Sequence, residues 1–107
     1  MNNVSIEVMS DHFKLLGDRT RLNIVSILYH QEMCVCQLVE ILDMTQPNIS
    51  QHLRKLKDAG LVREERRGQW NFYSLQLEDK PHLHDVLKYL PALEDGLKQK
   101  MNALICE

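Results

Sequence analysis

Two cysteines separated by one residue, Cys34-Val35-Cys36, stand shortly before a polar run, Thr45-Gln46-Pro47-Asn48-Ile49-Ser50-Gln51-His52-Leu53-Arg54-Lys55. Each group can do a distinct chemistry. Thiolates are soft ligands that select thiophilic ions: Cd(II), Pb(II), Zn(II), Cu(I) and, by the same softness, trivalent arsenic and antimony. Amides, hydroxyls and cations along one helix can pair with base edges and hold phosphates. Met33 to Gly60 thus puts a soft-ligand site and a possible nucleic-acid reader on one piece of backbone, where the first can control the second.

The third cysteine is Cys106. An odd count in a reducing compartment makes a structural disulfide a poor reading. Cys34 and Cys36 fall at or just before a helix start, where the dipole favours the thiolate. On a regular helix, positions i and i+2 lie roughly 200° apart, so joint ligation of one ion requires this helix start to unwind or bend. Catalysis is a poor reading. Cys-X-Cys has no partner base, no Gly-rich phosphate loop is present, His52 belongs to the polar helix and His30 has no orienting carboxylate. No catalytic residue and no required cofactor are expected.

The elements that must position these residues follow from pattern. The 107 residues make one domain, and 44% hydrophobic with 26% charged residues exclude a disordered chain. No apolar run approaches the ~18 residues of a membrane span and Met1 to Asp11 has no signal-peptide core, so the default location is the cytoplasm, with no membrane partner. Met9, Phe13 and Leu16 predict a helix from Ile6 to Leu16 that Gly17 closes. Asp18 caps a second, Arg19 to about His30, with Leu22, Val25 and Leu28 inward. After a connector, Gln31-Glu32-Met33, a short helix from Cys36 to Leu42 buries Leu38 and Leu42. Asp43-Met44 turn, Thr45 caps the next helix with Pro47 in its first turn, and Ile49, Leu53 and Leu56 form its inward stripe until Gly60. Leu61 to Glu65 and Gln69 to Leu75 predict two strands of a hairpin around Arg66-Arg67-Gly68 (wing, 61–75). Asp79 caps a last region (79–105) that Pro81 starts, with Leu83, Val86, Leu90, Leu93, Leu97, Met101 and Leu104 at helical steps and a kink or break at Pro91. That stripe is long for a one-layer core and points to a symmetric dimer.

The fold class is therefore mainly α with a small β-hairpin (α+β): a winged helix-turn-helix. Net charge is −2, yet Gln46 to Trp70 holds six Lys/Arg against three Asp/Glu, a +3 segment on a body of −5. Gln46, Asn48, Ser50 and Gln51 are candidates for bases or phosphates, His52, Arg54 and Lys55 for the backbone, and Arg66 and Arg67 for a neighbouring phosphate or minor groove. A winged helix that serves protein interaction is the alternative.

The run Thr45 to Leu53, with Leu56, Ala59-Gly60-Leu61-Val62, Arg67-Gly68-Gln69-Trp70-Asn71-Phe72-Tyr73 and Leu16-Gly17-Asp18-Arg19-Thr20-Arg21-Leu22, resembles the ArsR/SmtB family of bacterial metalloregulatory repressors over roughly Phe13 to Leu75. The resemblance implies a homodimer through the first and last helices that binds operator DNA as apoprotein and releases it on binding inducer. Met33-Cys34-Val35-Cys36-Gln37-Leu38 is similar to the Leu-Cys-Val-Cys-Asp-Leu element of the arsenical-resistance repressors, which implies As(III) or Sb(III) as inducer, held by Cys34 and Cys36. Some of those proteins carry a third cysteine where this chain has Val39; Cys106 is the candidate third ligand here, or a small thiol or water. A Cd/Pb-sensing branch adds N-terminal cysteines that are absent before Cys34. A zinc branch uses a later histidine that His82-Leu83-His84-Asp85 lacks, and a redox branch would pair Cys36 with Cys106.

Overall fold

The computed structural model of the chain describes residues 4–91 and 98–100. Its elements run α1 (Ile6–Leu16), α2 (Arg19–His30), β1 (Met33–Cys34), α3 (Val35–Leu42), α4 (Gln46–Asp58), β2 (Val62–Arg67), β3 (Trp70–Leu75) and α5 (Pro81–Leu87). Local chemistry starts the helices. Ser5 Oγ accepts from Val8 N at 3.1 Å, Asp18 Oδ2 from Arg21 N at 3.0 Å and Thr45 Oγ1 from Asn48 N at 3.4 Å. Each satisfies an amide that has no partner in the first helical turn. Between α3 and α4 the backbone turns through Asp43, at φ 53°, a left-handed conformation that Asp tolerates better than most side chains.

The expected inward stripe of α4 is present: Ile49, Leu53 and Leu56 are fully buried, against Ile24, Ile27, Leu38, Ile41 and Leu61. Three other faces are turned by one position. On α1, His12 and Leu16 point inward while Phe13 is exposed; on α3, Ile41 is buried in place of Leu42; on α5, Leu87 is buried and Val86 exposed. Helices of two or three turns expose no unique stripe in sequence, because i+3 and i+4 both continue a face and the core selects between them.

The hairpin is part of a three-stranded antiparallel sheet in the order β1-β3-β2, which corrects the expectation of two strands. Met33 pairs with Tyr73 and Cys34 with Phe72. A strand of two residues has no alternation to read, and its partner lies far along the chain. Arg67 pairs with Trp70, so Gly68-Gln69 alone forms the loop, with Gly68 at φ 61°. Glycine at the first loop position is what a two-residue turn matched to strand twist requires. Arg66 and Arg67 are therefore strand residues rather than turn residues.

The last described region departs twice from expectation. Lys80, not Asp79, is the N-cap of α5, and Asp79 Oδ1 instead accepts from Lys80 Nζ at 2.8 Å. The helix ends at Leu87, short of Pro91, in keeping with the loss of an amide donor and the restriction on the preceding residue. Leu93, Leu97, Met101, Leu104 and Cys106 lie outside the described residues. No helix among the described residues is long and apolar enough to cross a membrane.

Candidate thiol site and nucleic-acid interface

Cys34 ends β1 and is the N-cap of α3, with extended backbone (φ −86°, ψ 164°). Cys36 follows in the first turn, exposed, whereas Cys34 is buried. The Cys34 amide donates to Gln37 Oε1 at 3.0 Å, so the first turn reaches back and holds the strand end. The two sulfurs are joined as a disulfide, with Cα atoms 5.4 Å apart. This overturns two expectations. A disulfide is not a poor reading of the pair, because the argument from an odd cysteine count says nothing of local geometry. Nor must α3 unwind for the sulfurs to converge: only Cys36 is helical, so the angular separation of i and i+2 on a helix does not apply.

As free thiols, the pair offers two soft donors at one point beside a helix N-terminus, where the peptide dipole favours thiolate. Among the described residues no group of three or more His, Cys, Asp or Glu side chains could hold a metal ion. The third candidate, Cys106, falls outside them.

The polar face of α4 is open. Gln46, Asn48, Gln51, Arg54 and Lys55 are exposed, and Gln46 Nε2 donates to the half-buried Ser50 Oγ at 2.7 Å. Arg54 and Lys55 pair with no carboxylate among the described residues. Between this helix and the wing runs an open cleft of about 770 Å³ lined by Pro47, Ser50, Gln51, Arg54, Lys57 and Tyr73, among others. On the cleft wall Lys57 Nζ donates to Glu64 Oε1 at 2.8 Å, which holds the Glu64 carboxyl below its usual range. Burial first, and then the Glu64 charge, push the Tyr73 hydroxyl up to about 12.

Two expected DNA contacts are engaged inside the protein. His52 is turned toward α2: Arg21 Nη1 donates to its Nδ1 at 3.2 Å and Asp18 Oδ2 lies 3.8 Å away. Arg67 donates to both carboxylate oxygens of Glu32, at 2.6 and 2.9 Å, and to Glu65 Oε1 at 2.7 Å. These bonds raise its pKa and hold the Glu32 carboxyl low. Arg66 Nε donates to Gly68 O at 3.1 Å and stays on the exposed edge of the wing. Glu32, Lys57, Glu64 and Tyr73 were not singled out as site residues from the sequence. Nothing in the order of residues pairs Glu32 with Arg67, and only the cation count touched Lys57.

A family model described as "Bacterial regulatory protein, arsR family" matches residues 18–64. An uncharacterised HTH-type transcriptional regulator of Methanocaldococcus jannaschii is 46% identical over 81% of this chain and 96% of its own length. The arsenical resistance operon repressor of Escherichia coli is 44% identical over 66% of this chain, and the match spans 58% of that repressor. Among solved structures, a homodimeric winged helix-turn-helix DNA-binding domain of Mycobacterium bovis, described as a possible ArsR-family transcriptional regulator, superposes with a TM-score of 0.68 at 26% identity. That superposition covers 82% of this chain and 87% of that one. These relatives are regulators, not enzymes.

Proposed function

Because this chain belongs to the arsR family of bacterial regulatory proteins, we propose that it is a dimeric transcriptional repressor whose hold on operator DNA is released when As(III) or Sb(III) binds Cys34 and Cys36. The observation that carries the reading is the convergence of both sulfurs at the N-terminus of α3, the short helix that leads through the turn at Asp43 into a reading helix whose polar face is open. No cofactor is required, and the protein acts in the cytoplasm, where its DNA is.

In this reading α4 enters the major groove with Gln46, Asn48, Ser50 and Gln51 against base edges or phosphates, and Arg54 and Lys55 on the backbone. Arg66 supplies the wing contact. His52 positions the helix from behind, through Asp18 and Arg21. The second copy packs on the outward face of α1, where Ile6 and Phe13, two turns apart, are exposed, and on the region that α1 meets through Phe13 and His82, where Tyr89 is 84% exposed. Apolar groups gathered on one side of a small domain are what an isologous contact buries. Reciprocal effects of inducer and DNA on each other's affinity follow from linkage.

A thiol-oxidation response of the same repressor is the second reading, favoured by the disulfide between Cys34 and Cys36. One experiment separates these and tests the whole. A gel shift on palindromic promoter DNA is run at several salt concentrations, and the complex is titrated with arsenite, Cd(II), Zn(II) and a peroxide. Absence of any specific, salt-sensitive complex refutes the repressor and leaves a protein-interaction module. Release by arsenite that survives Cys34→Ser with Cys36→Ser refutes the site. Release by peroxide alone selects the oxidation reading.

A further inference from the structure

We infer that Glu32 is a positioning residue that ties the thiol site to the wing, so that chemistry at Cys34 reaches DNA through the sheet and not only through the helix-turn-helix. The inference rests on the reading of Cys34 and Cys36 as the effector site. Glu32 stands at the start of β1, just ahead of Met33 and Cys34. Its carboxylate takes the Arg67 guanidinium end-on through two bonds, Nη1 to Oε2 at 2.6 Å and Nη2 to Oε1 at 2.9 Å, the geometry that fixes direction as well as distance. The same guanidinium lies over the Phe72 ring, 4.7 Å from its centroid.

Phe72 is the junction. In the middle strand it pairs with Cys34 on one side and with Glu65 on the other, and Glu65 is the second carboxylate on Arg67. The next residue, Tyr73, pairs with Met33 and with Glu64, which holds Lys57 from the last turn of α4. A movement of β1 against β3 is therefore passed to both walls of the cleft.

Mechanics decides which element yields. Changing the bonding between the two sulfurs changes the position of Cys34 relative to Cys36. Cys36 is held in an eight-residue helix, while Cys34 belongs to a two-residue strand. The helix has internal hydrogen bonds past its first turn; the strand is held by its ladder to β3, by Gln37 on the Cys34 amide, by the burial of Met33 and Cys34, and by Glu32. With Met33 and Cys34 buried, β1 moves as one segment, the tie free to yield is the half-exposed one at its leading end, and Arg67 is what its displacement pulls on. Bonded to two carboxylates, Arg67 is also withheld from phosphate, so its release or retention alters the charge the wing presents.

The single tryptophan, Trp70, pairs with Arg67 at the wing loop and reports on it directly. The full chain and its Glu32→Gln variant are reduced with a phosphine and titrated with sodium arsenite. Bound arsenic is counted by native mass spectrometry, Trp70 emission is followed, and the operator Kd is measured with and without arsenite. The ratio of the two Kd values cancels any change in basal affinity. Glu32→Gln is expected to bind the same arsenic per chain, lose the Trp70 response, and show a ratio reduced by at least about fivefold, at the lower edge of typical coupling. Glu32→Asp, which keeps the charge, is expected to recover part of both. An unchanged ratio and an unchanged Trp70 response in Glu32→Gln overturn the inference and leave the repressor reading intact. If the unsubstituted protein binds no arsenic, the effector reading fails. The tie is then judged by comparing Trp70 emission of the thiol and disulfide forms: a difference that vanishes in Glu32→Gln supports it, and identical emission in the two forms overturns it.

Discussion

Arg54 lies on the reading helix and Arg67 on the wing, and the structure predicts opposite behaviour on substitution. Arg54 is exposed at the cleft with no carboxylate partner among the described residues, so its full charge is available to a phosphate. Arg67 shares its guanidinium between Glu32 and Glu65, so a DNA phosphate would have to displace carboxylates that already satisfy it. Each neutralised phosphate contributes about −0.9 to the slope of log K against log salt, and a dimer carries each residue twice. Arg54→Ala should therefore reduce the magnitude of that slope by about 1.8. Between about 50 and 200 mM salt, a fourfold change, the ratio of unsubstituted to variant affinity should shrink by about twelvefold. Arg67→Ala should leave the slope almost unchanged, whatever it does to affinity at one salt concentration. Fluorescence anisotropy of a labelled operator fragment, titrated at four or more salt concentrations, measures both slopes. Equal losses of slope in the two variants, or an unchanged slope in Arg54→Ala, would refute this account of which cations face DNA.

Leu53 is fully buried at the centre of the α4 stripe, so Leu53→Ala should cost about 2–5 kcal/mol in urea unfolding at fixed protein concentration; a loss under about 1 kcal/mol would contradict its placement. His12 is buried with Nδ1 3.0 Å from His82 Nε2, and burial first, then the His82 charge, hold its pKa below 6.5. A base with a lowered folded-state pKa is protonated more readily when unfolded. Stability should then fall as pH drops from above 6.5 toward the lowered value, and His12→Gln should flatten that part of the urea midpoint profile. Parallel profiles for the two proteins would rule out His12 as a source of the pH dependence.

Much of the helix-turn-helix was legible in the sequence because it is written in local terms. Thr45 and Pro47 start a helix by capping and by fixed φ, and Ile49, Leu53 and Leu56 face inward because the i, i+4, i+7 spacing allows one face only over that length. Asp18 caps α2 by the same rule. The cysteine pair was legible as chemistry, but not as geometry: the sequence places a helix near Cys34, and a one-residue difference in where it starts decides whether the two sulfurs diverge or meet. On α1 and α5, shorter or less regular stripes left Phe13 and Val86 as plausible inward residues, and the core took His12 and Leu87 instead.

What the order of residues determines by itself is where the chain can cap, turn and bury a stripe, since those energies depend on neighbours within a few positions. The winged helix-turn-helix and the closeness of Cys34 and Cys36 to the reading helix follow from that. Tertiary structure alone decides that Met33 and Cys34 join the wing as its third strand, that Arg67 faces Glu32, and that His52 turns to Asp18 and Arg21. Each of these pairs groups distant in the chain, and its energy exists only once folding has brought them within hydrogen-bond reach. The residues proposed for inducer and DNA are thus candidates by local chemistry alone, whereas the sheet that links Cys34 to the wing is a product of the fold.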